Sequence, residues 1–360
     1  MHRESQSSAT STQKAAAAAA SLRYVNDDEA GISRHHSGKR FRYRAVNGRW
    51  IDDTSEIARI DALAIPPAWT DVWICPDVRG HIQATGRDKR GRKQYRYHAR
   101  WSKRRGEDKF ANLRDFAKAL PRLRRRANLD LGKPGLSRDK VIAAVVWLLD
   151  NAMIRVGSAS YARENGSFGL TTLRNRHLKV DGSKLRFAFK GKSGKEWQVR
   201  LTDRRMARII KQIQELPGQS LFQYVSEDGS RSTVTSDEVN DYIRRATRGE
   251  FSSKDFRTWG GTVRALALFA DRCLPETKRE TAVVCNETID KVALRLGNTR
   301  AICRKGYIHP EVIASWSQGR LREDLAAIRR RRNNWLDADE QMAAQWLERQ
   351  ARSRRSMNGR

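Results

Sequence analysis

Arg155, Lys192, Arg257, Asn298 and Tyr307 lie far apart in this chain, and their side chains are of kinds that bind or attack an anion. Arg155 stands in Ile154-Arg155-Val156-Gly157 at the end of an apolar run, where a guanidinium among core positions needs a partner anion. On its own that pattern favours a structural ion pair. Arg257, in Lys254-Asp255-Phe256-Arg257-Thr258-Trp259-Gly260, falls just ahead of a helix, where a bound phosphate would also gain from the helix dipole. A plain surface arginine is the alternative. Asn298 follows Gly297, which reads as a helix C-cap, and alone it is an ordinary turn residue. Tyr307, in Arg304-Lys305-Gly306-Tyr307-Ile308-His309-Pro310, is alone a half-buried structural ring.

A second concentration of functional groups is the run Arg87-Asp88-Lys89-Arg90-Gly91-Arg92-Lys93-Gln94-Tyr95-Arg96-Tyr97. Arg87, Lys89, Arg90, Arg92 and Lys93 can hold phosphates. Gln94 can pair with adenine in a major groove, and Tyr95 and Tyr97 can pack on sugar or a thymine methyl. A solvated charged loop feeding an edge strand explains the run equally well by itself. The balance is tipped by the whole chain: 72 Lys and Arg against 41 Asp and Glu give a net charge of +31 over 360 residues. That excess implies a polyanionic partner, with nucleic acid the first candidate.

The same composition sets other classes aside. Basic residues run through the whole sequence and are not gathered on one amphipathic helix, which argues against a membrane surface. No apolar run approaches the roughly 20 residues of a bilayer span, and the start has no apolar signal segment, so a cytosolic protein is expected. Cys75, Cys273, Cys285 and Cys303 form no C-x-x-C pair and read as core or incidental thiols, not as a zinc site or a disulfide framework. There is no P-loop motif and no obvious carboxylate cluster, so no ATP, metal or other cofactor is expected.

The elements that must position these residues change character along the chain. Residues 1–21, with Ser, Thr and Gln followed by Ala15–Ala20, show no apolar face and read as a disordered tail. In residues 22–105, Phe41, Tyr43 and Ala45 alternate with polar residues, and Asn47-Gly48 predicts a type I′ turn closing a hairpin onto Trp50. Asp53 or Thr54 caps a short helix with Ile57, Ile60 and Leu63 on one face, and strands follow at 72–75, 81–85 and 94–98. This is a small β-rich domain with a DNA-binding role. Residues 106–330 shift to helical periods. Ser137 caps a helix with Val141, Val145, Leu148, Leu149 and Ala152 on one face, which Gly157 can terminate. A small antiparallel sheet runs through residues 177–201 and leaves Lys192 at a hairpin tip. Thr235 to Glu238 makes a capping box, and two further apolar faces mark helices through Leu266 and Ile289. Residues 331–360, after the basic cluster Arg329–Arg332, read as a basic helical tail. The fold class is α+β.

The order Ile-Arg-x-Gly, a hairpin lysine, Lys-Asp-x-Arg-Thr-x-Gly, Leu-Gly-Asn-Thr, and then Tyr307 nine residues after Asn298 resembles the poxvirus-type and bacterial branch of type IB DNA topoisomerases. Gly91-Arg92-Lys93-Gln94-Tyr95, preceded by Gly86-Arg87-Asp88, is similar to that family's DNA-contacting segment. The resemblance spans roughly Arg23 to Trp316. It implies a two-domain DNA clamp acting on duplex DNA as a monomer, and a catalytic pentad on Arg155, Lys192, Arg257, Asn298 and Tyr307. Poxvirus members have histidine where this chain has Asn298. An asparagine still donates a hydrogen bond to a phosphate oxygen but carries no proton near neutral pH.

The implied chemistry is relaxation of supercoils through a transient 3′-phosphotyrosine on Tyr307. Arg155 and Arg257 would stabilise the non-bridging oxygens, and Lys192 would protonate the departing 5′ oxygen. Neither ATP nor metal is then required, and the expected location is the bacterial cytoplasm, on the nucleoid. Two rivals stand beside it. A tyrosine recombinase shares the catalytic layout but typically shows His-x-x-Arg in place of Lys254-Asp255-Phe256-Arg257. A non-enzymatic basic nucleic-acid-binding protein would account for the charge but not for the ordered pentad.

Overall fold

The computed structural model describes residues 13–38, 40–328 and 333–358, with side chains as far as residue 353. The chain separates into two compact units, residues 1–109 and 110–360.

The first unit is built on one antiparallel sheet. Its elements are β1 (Ile32–Ser37), β2 (Arg40–Arg44), α2 (Thr54–Ala62), β3 (Thr70–Ile74), β4 (Ile82–Arg87) and β5 (Lys93–Tyr97), followed by α3 (Ala99–Ala111). Strand order is β2-β1-β3-β4-β5. The side chain of Asp53 accepts from the Ser55 amide at 2.8 Å and starts α2. Ile60 of α2 is buried against Ile32, Tyr43, Val72, Ile74 and Ala84 on one sheet face. Burying such a side chain stabilises by roughly 1.5–3 kcal/mol, and this small cluster is the main core of the unit.

Two sequence expectations need correction here. Chain reversal does occur at Asn47-Gly48, where the Gly48 amide donates to Ala45 O at 2.9 Å and Gly48 sits at φ +80. Asn47 keeps a negative φ, so the turn is not type I′, and pairing stops at a single Arg44–Trp50 bridge. The full partner of β2 is β1, registered from Ser33 opposite Arg44 to Ser37 opposite Arg40. The β1 sequence Ile-Ser-Arg-His-His-Ser carries no apolar alternation, which is why periodicity passes over it. The second correction concerns the expected tail. Residues 13–19 form a helix, α1, in which Ala17 is fully buried and packs with Leu22 and Trp101. Alanine is the best helix former, and its methyl needs only a close neighbour to be buried. Residues 1–12 lie outside the described residues.

The second unit is mainly helical. It runs α4 (Leu113–Leu131), α5 (Arg138–Ala152), α6 (Ala159–Asn165), β6 (Leu178–Asp181), β7 (Lys184–Lys190), β8 (Glu196–Thr202), α7 (Arg204–Gln214), β9 (Gln223–Val225), β10 (Arg231–Thr233) and α8 (Ser236–Thr247). It continues through α9 (Ser253–Ala270), α10 (Lys278–Leu296), α11 (Arg300–Gly306), α12 (Pro310–Ser317), α13 (Leu321–Ala326) and α14 (Ala338–Asn358). Residues 141–145 of α5 are buried on every side, so this helix is the centre of the core. β6, β7 and β8 form a three-stranded antiparallel sheet whose inner face, with Leu185, Phe187, Trp197 and Val199, joins the same core. The expected capping box at Thr235 and Glu238 is present.

Helix α14 is no peripheral tail. Trp346 and Ala343 are fully buried, and Glu340 pairs with Arg124 of α4 at 2.6 Å while accepting from Trp259 Nε1 of α9 at 3.0 Å. Arg124 also holds Asp150 of α5 at 2.7 Å. One half-buried guanidinium, with Glu340 bridging on to α9, therefore ties four helices together. Arg329–Arg332 lie outside the described residues. Among the described residues no helix is long and apolar enough to cross a membrane.

Candidate active site

Arg257 belongs to the second turn of α9, not to the segment ahead of it: Ser252 is the N-cap, and its amide donates to Asp255 Oδ2 at 2.8 Å. This places the side chain inward, 3% exposed. The guanidinium donates through Nη2 to Leu296 O at 2.7 Å and through Nη1 to Met153 O. Leu296 is the last residue of α10 and Met153 the C-cap of α5. The last carbonyls of a helix lack intrahelical donors and carry the negative end of its dipole. Two helix C-termini thus hold this buried cation in place of a carboxylate. Burial first, and the neighbouring Arg155 second, push its pKa down to about 10, which leaves it charged at neutral pH.

Met153, in left-handed backbone at φ 57, ends α5 four residues before the predicted stop at Gly157. Gly157 is needed for a different reason. A Cβ added to Gly169 would lie 2.6 Å from the Gly157 Cα, so the two loops touch backbone to backbone. Hydrogen bonds from Leu170 N to Arg155 O at 2.9 Å and from Thr171 N to Val156 O at 2.7 Å complete that seam and fix the Arg155 loop.

The partner of Arg155 is no carboxylate: its Nη2 donates to Asn298 Oδ1 at 2.6 Å. Asn298 is placed by Gly297, whose left-handed φ of 58 ends α10 and lets the Asn298 amide donate back to Ala293 O at 2.9 Å. With Oδ1 engaged, Asn298 Nδ2 is a buried donor with no partner among the described residues.

Tyr307 is the C-cap of α11, its amide donating to Cys303 O at 2.9 Å, and its backbone is seated on α9. Thr262 Oγ1 donates to Tyr307 O at 3.3 Å and accepts from the His309 amide at 3.1 Å. A Cβ at Gly261 would come within 2.6 Å of Tyr307 O, so only glycine permits this approach. The Arg257 guanidinium carbon stands 4.9 Å from the Tyr307 ring centroid. Cys303 is fully buried, and burial pushes its thiol up to about 11, which suits a packed structural thiol.

Lys192 occupies the tip of the β7–β8 hairpin, as the sequence predicts. It is exposed and makes no hydrogen bond or ion pair among the described residues. The same hairpin does reach the cluster just past its tip, since Lys195 Nζ donates to Asn298 O at 3.3 Å and the Trp197 ring lies 5.9 Å from the Arg257 guanidinium carbon. Arg155, Arg257, Asn298 and Tyr307 are therefore brought together, and Lys192 stands on a hairpin anchored beside them. Sequence reasoning passed over Lys195, Trp197 and the small pair Gly260-Gly261. That glycine pair inside an otherwise apolar helix was the legible signal of a close backbone approach.

In the first unit the basic run divides between two faces of β5. Lys93, Tyr95 and Tyr97 are exposed, with the tyrosine rings stacked at 5.8 Å. Gln94 alternates to the other face, and its Nε2 donates to Asp88 Oδ2 at 3.0 Å. Arg92 pairs with Asp88 at 2.6 Å, Lys93 with Asp27 at 2.5 Å and Arg87 with Asp71 at 3.4 Å. The Arg92 guanidinium holds Asp88 down at about 2. Lys89 and Arg90, at the exposed turn, have no ion pair among the described residues.

Residues 98–333 match the family profile described as eukaryotic DNA topoisomerase I, catalytic core, and residues 40–88 match that of the bacterial DNA topoisomerase IB N-terminal domain. A DNA topoisomerase 1B of Acanthamoeba polyphaga mimivirus is 35% identical over 290 residues, covering 77% of this chain and 85% of that protein. The DNA topoisomerase 1B of vaccinia virus (strain Copenhagen) is 23% identical over 274 residues, 73% of this chain and 82% of its own length. The DNA topoisomerase 1 of Mycosarcoma maydis is 25% identical over 174 residues, 43% of this chain and 17% of its own. With both units matched in order, and a viral relative alike over most of its length, the chain belongs to the type IB DNA topoisomerases, in the viral and bacterial branch of that family.

Proposed function

We propose that this topoisomerase cleaves and reseals one strand of duplex DNA with Tyr307 as nucleophile. The observation that carries this reading is the Tyr307 ring beside the Arg257 guanidinium, in a cluster completed by the Arg155–Asn298 pair. Tyr307 Oη attacks the phosphorus in line. A P–Oη bond forms, the P–O5′ bond breaks, and the phenol proton passes to solvent, its loss favoured by the adjacent cation. Arg155 and Arg257 bind the non-bridging oxygens of the pentavalent transition state, and the free Nδ2 of Asn298 adds a neutral donor. Lys192 gives its proton to the leaving 5′ oxygen. The phosphotyrosine conserves the bond energy, so after strand rotation the 5′ hydroxyl attacks back and reseals.

Arginines here supply the charge that metal ions supply in two-metal nucleases, and the reaction runs without ATP or divalent cations. The enzyme works as a monomer on duplex DNA at the nucleoid. Each unit binds the same duplex to make a clamp, the first through the basic surface of Arg87, Lys89, Arg90, Arg92, Lys93, Tyr95 and Tyr97, while Gln94, on the other face of β5, supports it through Asp88. Plasmid relaxation in excess EDTA tests this reading: a ladder of relaxed topoisomers is expected, and strict dependence on Mg²⁺ would overturn it. Tyr307→Phe is expected to bind duplex DNA and form no covalent adduct. An adduct trapped by denaturant in that variant moves the nucleophile elsewhere.

A further inference from the structure

We propose that Trp197 is a positioning residue for the leaving-group acid, docking the Lys192 hairpin onto the Asn298 turn through its indole. The proposal rests on the reading of Lys192 given above. Trp197 lies in β8 directly opposite Phe189 of β7, and the two rings stack at 6.0 Å. The indole is 7% exposed. A Cβ added to Gly191, the residue before Lys192, would lie 2.6 Å from its Cδ1 and 2.8 Å from its Nε1. A Cβ added to Gly297, the residue before Asn298, would lie 2.5 Å from its Cζ2 and 2.8 Å from its Cε2. One rigid ring therefore fills the gap between the glycine that precedes the lysine and the glycine that precedes the asparagine. Both glycines lack the side chain that would push it out.

Although this ring also meets Gly297 and lies 5.9 Å from the Arg257 guanidinium carbon, the other members of the cluster each have a further holder. Arg257 is held by Met153 O and Leu296 O, Arg155 by Asn298 Oδ1, and Tyr307 by Thr262 on α9. The hairpin tip, with Ser193 in left-handed backbone at φ 64, is tied to that site by Trp197, by the 3.3 Å bond from Lys195 to Asn298 O and, one arm down, by the Phe168 amide donating to Lys190 O at 2.8 Å. Removing the indole is thus expected to let Lys192 drift while the arginine clamp stays in place. A displacement of about 1 Å in a catalytic group costs on the order of 10²-fold in rate.

The test compares single-turnover cleavage of a normal suicide duplex with that of one carrying sulfur in place of the bridging 5′ oxygen. A thiolate leaves without protonation, so sulfur repairs defects in the acid and no others. Trp197→Ala is expected to cleave the oxygen duplex more slowly, by about 10²-fold, and the sulfur duplex at close to the unmutated rate, the pattern also expected of Lys192→Ala. Trp197→Phe, which keeps the stack on Phe189 but lacks the ring that meets Gly297, is expected to fall between. Noncovalent duplex binding by each variant reports that the fold is intact. If Lys192→Ala is repaired by sulfur and Trp197→Ala is not, Trp197 serves the clamp or the fold and the proposal is overturned alone. If Lys192→Ala itself is not repaired, the acid assignment falls and this inference with it. Full oxygen-duplex activity in Trp197→Ala overturns the proposal outright.

Discussion

Arg155 donates to Asn298 Oδ1 at 2.6 Å, and by occupying that oxygen it turns the amide so that Nδ2 is left buried and without a partner among the described residues. A buried donor left unmatched costs about 1–3 kcal/mol, a cost that a phosphate oxygen would relieve on binding. Asn298→Ala is expected to slow cleavage by on the order of 10²–10³, the usual effect of losing one transition-state donor. Asn298→Asp should be at least as slow and yet melt higher than the alanine variant, because a carboxylate beside Arg155 and Arg257 satisfies the arginines while repelling the phosphate. Single-turnover rates and melting temperatures measured together check this. Near-normal cleavage by the aspartate variant would show that Asn298 does not touch the phosphate.

Gly261 gives a prediction that separates geometry from stability. The missing Cβ is what lets Tyr307 O approach α9, so Gly261→Ala must push the nucleophile's backbone outward. Cleavage is expected to fall by roughly 10²-fold, in line with a misplacement near 1 Å, with noncovalent duplex binding retained. Unchanged cleavage by a folded Gly261→Ala protein would mean that the seat on α9 does not set the position of Tyr307.

The Arg124 network predicts an unusual pH response. Burial pushes the Glu340 carboxyl up, but the Arg124 guanidinium more than offsets this and the net shift is downward. A carboxyl with a lowered folded pKa contributes stability that is present above its unfolded value near 4.5 and lost as pH falls through the folded value. Arg124→Met should reverse the sign at Glu340, whereas burial already holds the Asp150 carboxyl up with the guanidinium in place. Asp150 and Glu340 would then be buried without a cation, costing roughly 3–5 kcal/mol at pH 7, and the deficit should shrink toward pH 5 as they take up protons. Urea unfolding at the two pH values measures it. A deficit that does not change with pH would place the cost in packing alone.

Lys93 is tied to Asp27 at 2.5 Å, so its charge is partly spent within the protein. Asp27→Asn, measured by equilibrium binding in a Tyr307→Phe background, is expected to tighten duplex binding. It should also steepen the salt dependence by about 0.9 in the slope of log K against log salt. Lys89→Ala and Arg90→Ala should each make the slope shallower by about the same amount. Weaker binding by Asp27→Asn would remove Lys93 from the set of phosphate contacts.

The sequence alone pointed to the class of partner, the β-rich and helical portions, the hairpin that carries Lys192, and Arg155, Arg257, Asn298 and Tyr307 as residues for the fold to bring together. Charge, turn chemistry and helical periods are local, and a motif retains its order along the chain whatever the fold. What tertiary structure decided is how those residues are held. Arg257 looked like a residue ahead of a helix, yet it is a buried cation held by the carbonyl ends of two other helices, α5 and α10. Arg155 invited a carboxylate and found an amide 143 residues away. Ala17 and Trp346 read as parts of terminal tails and are fully buried. Gln94 sat in one run with Tyr95 and Tyr97, but alternation along β5 put it on the opposite face. Each of these outcomes depends on which surfaces meet across long separations in sequence, and on backbone carbonyls that every residue type carries alike. No local pattern of side chains reveals that meeting, which emerges only when the core packs.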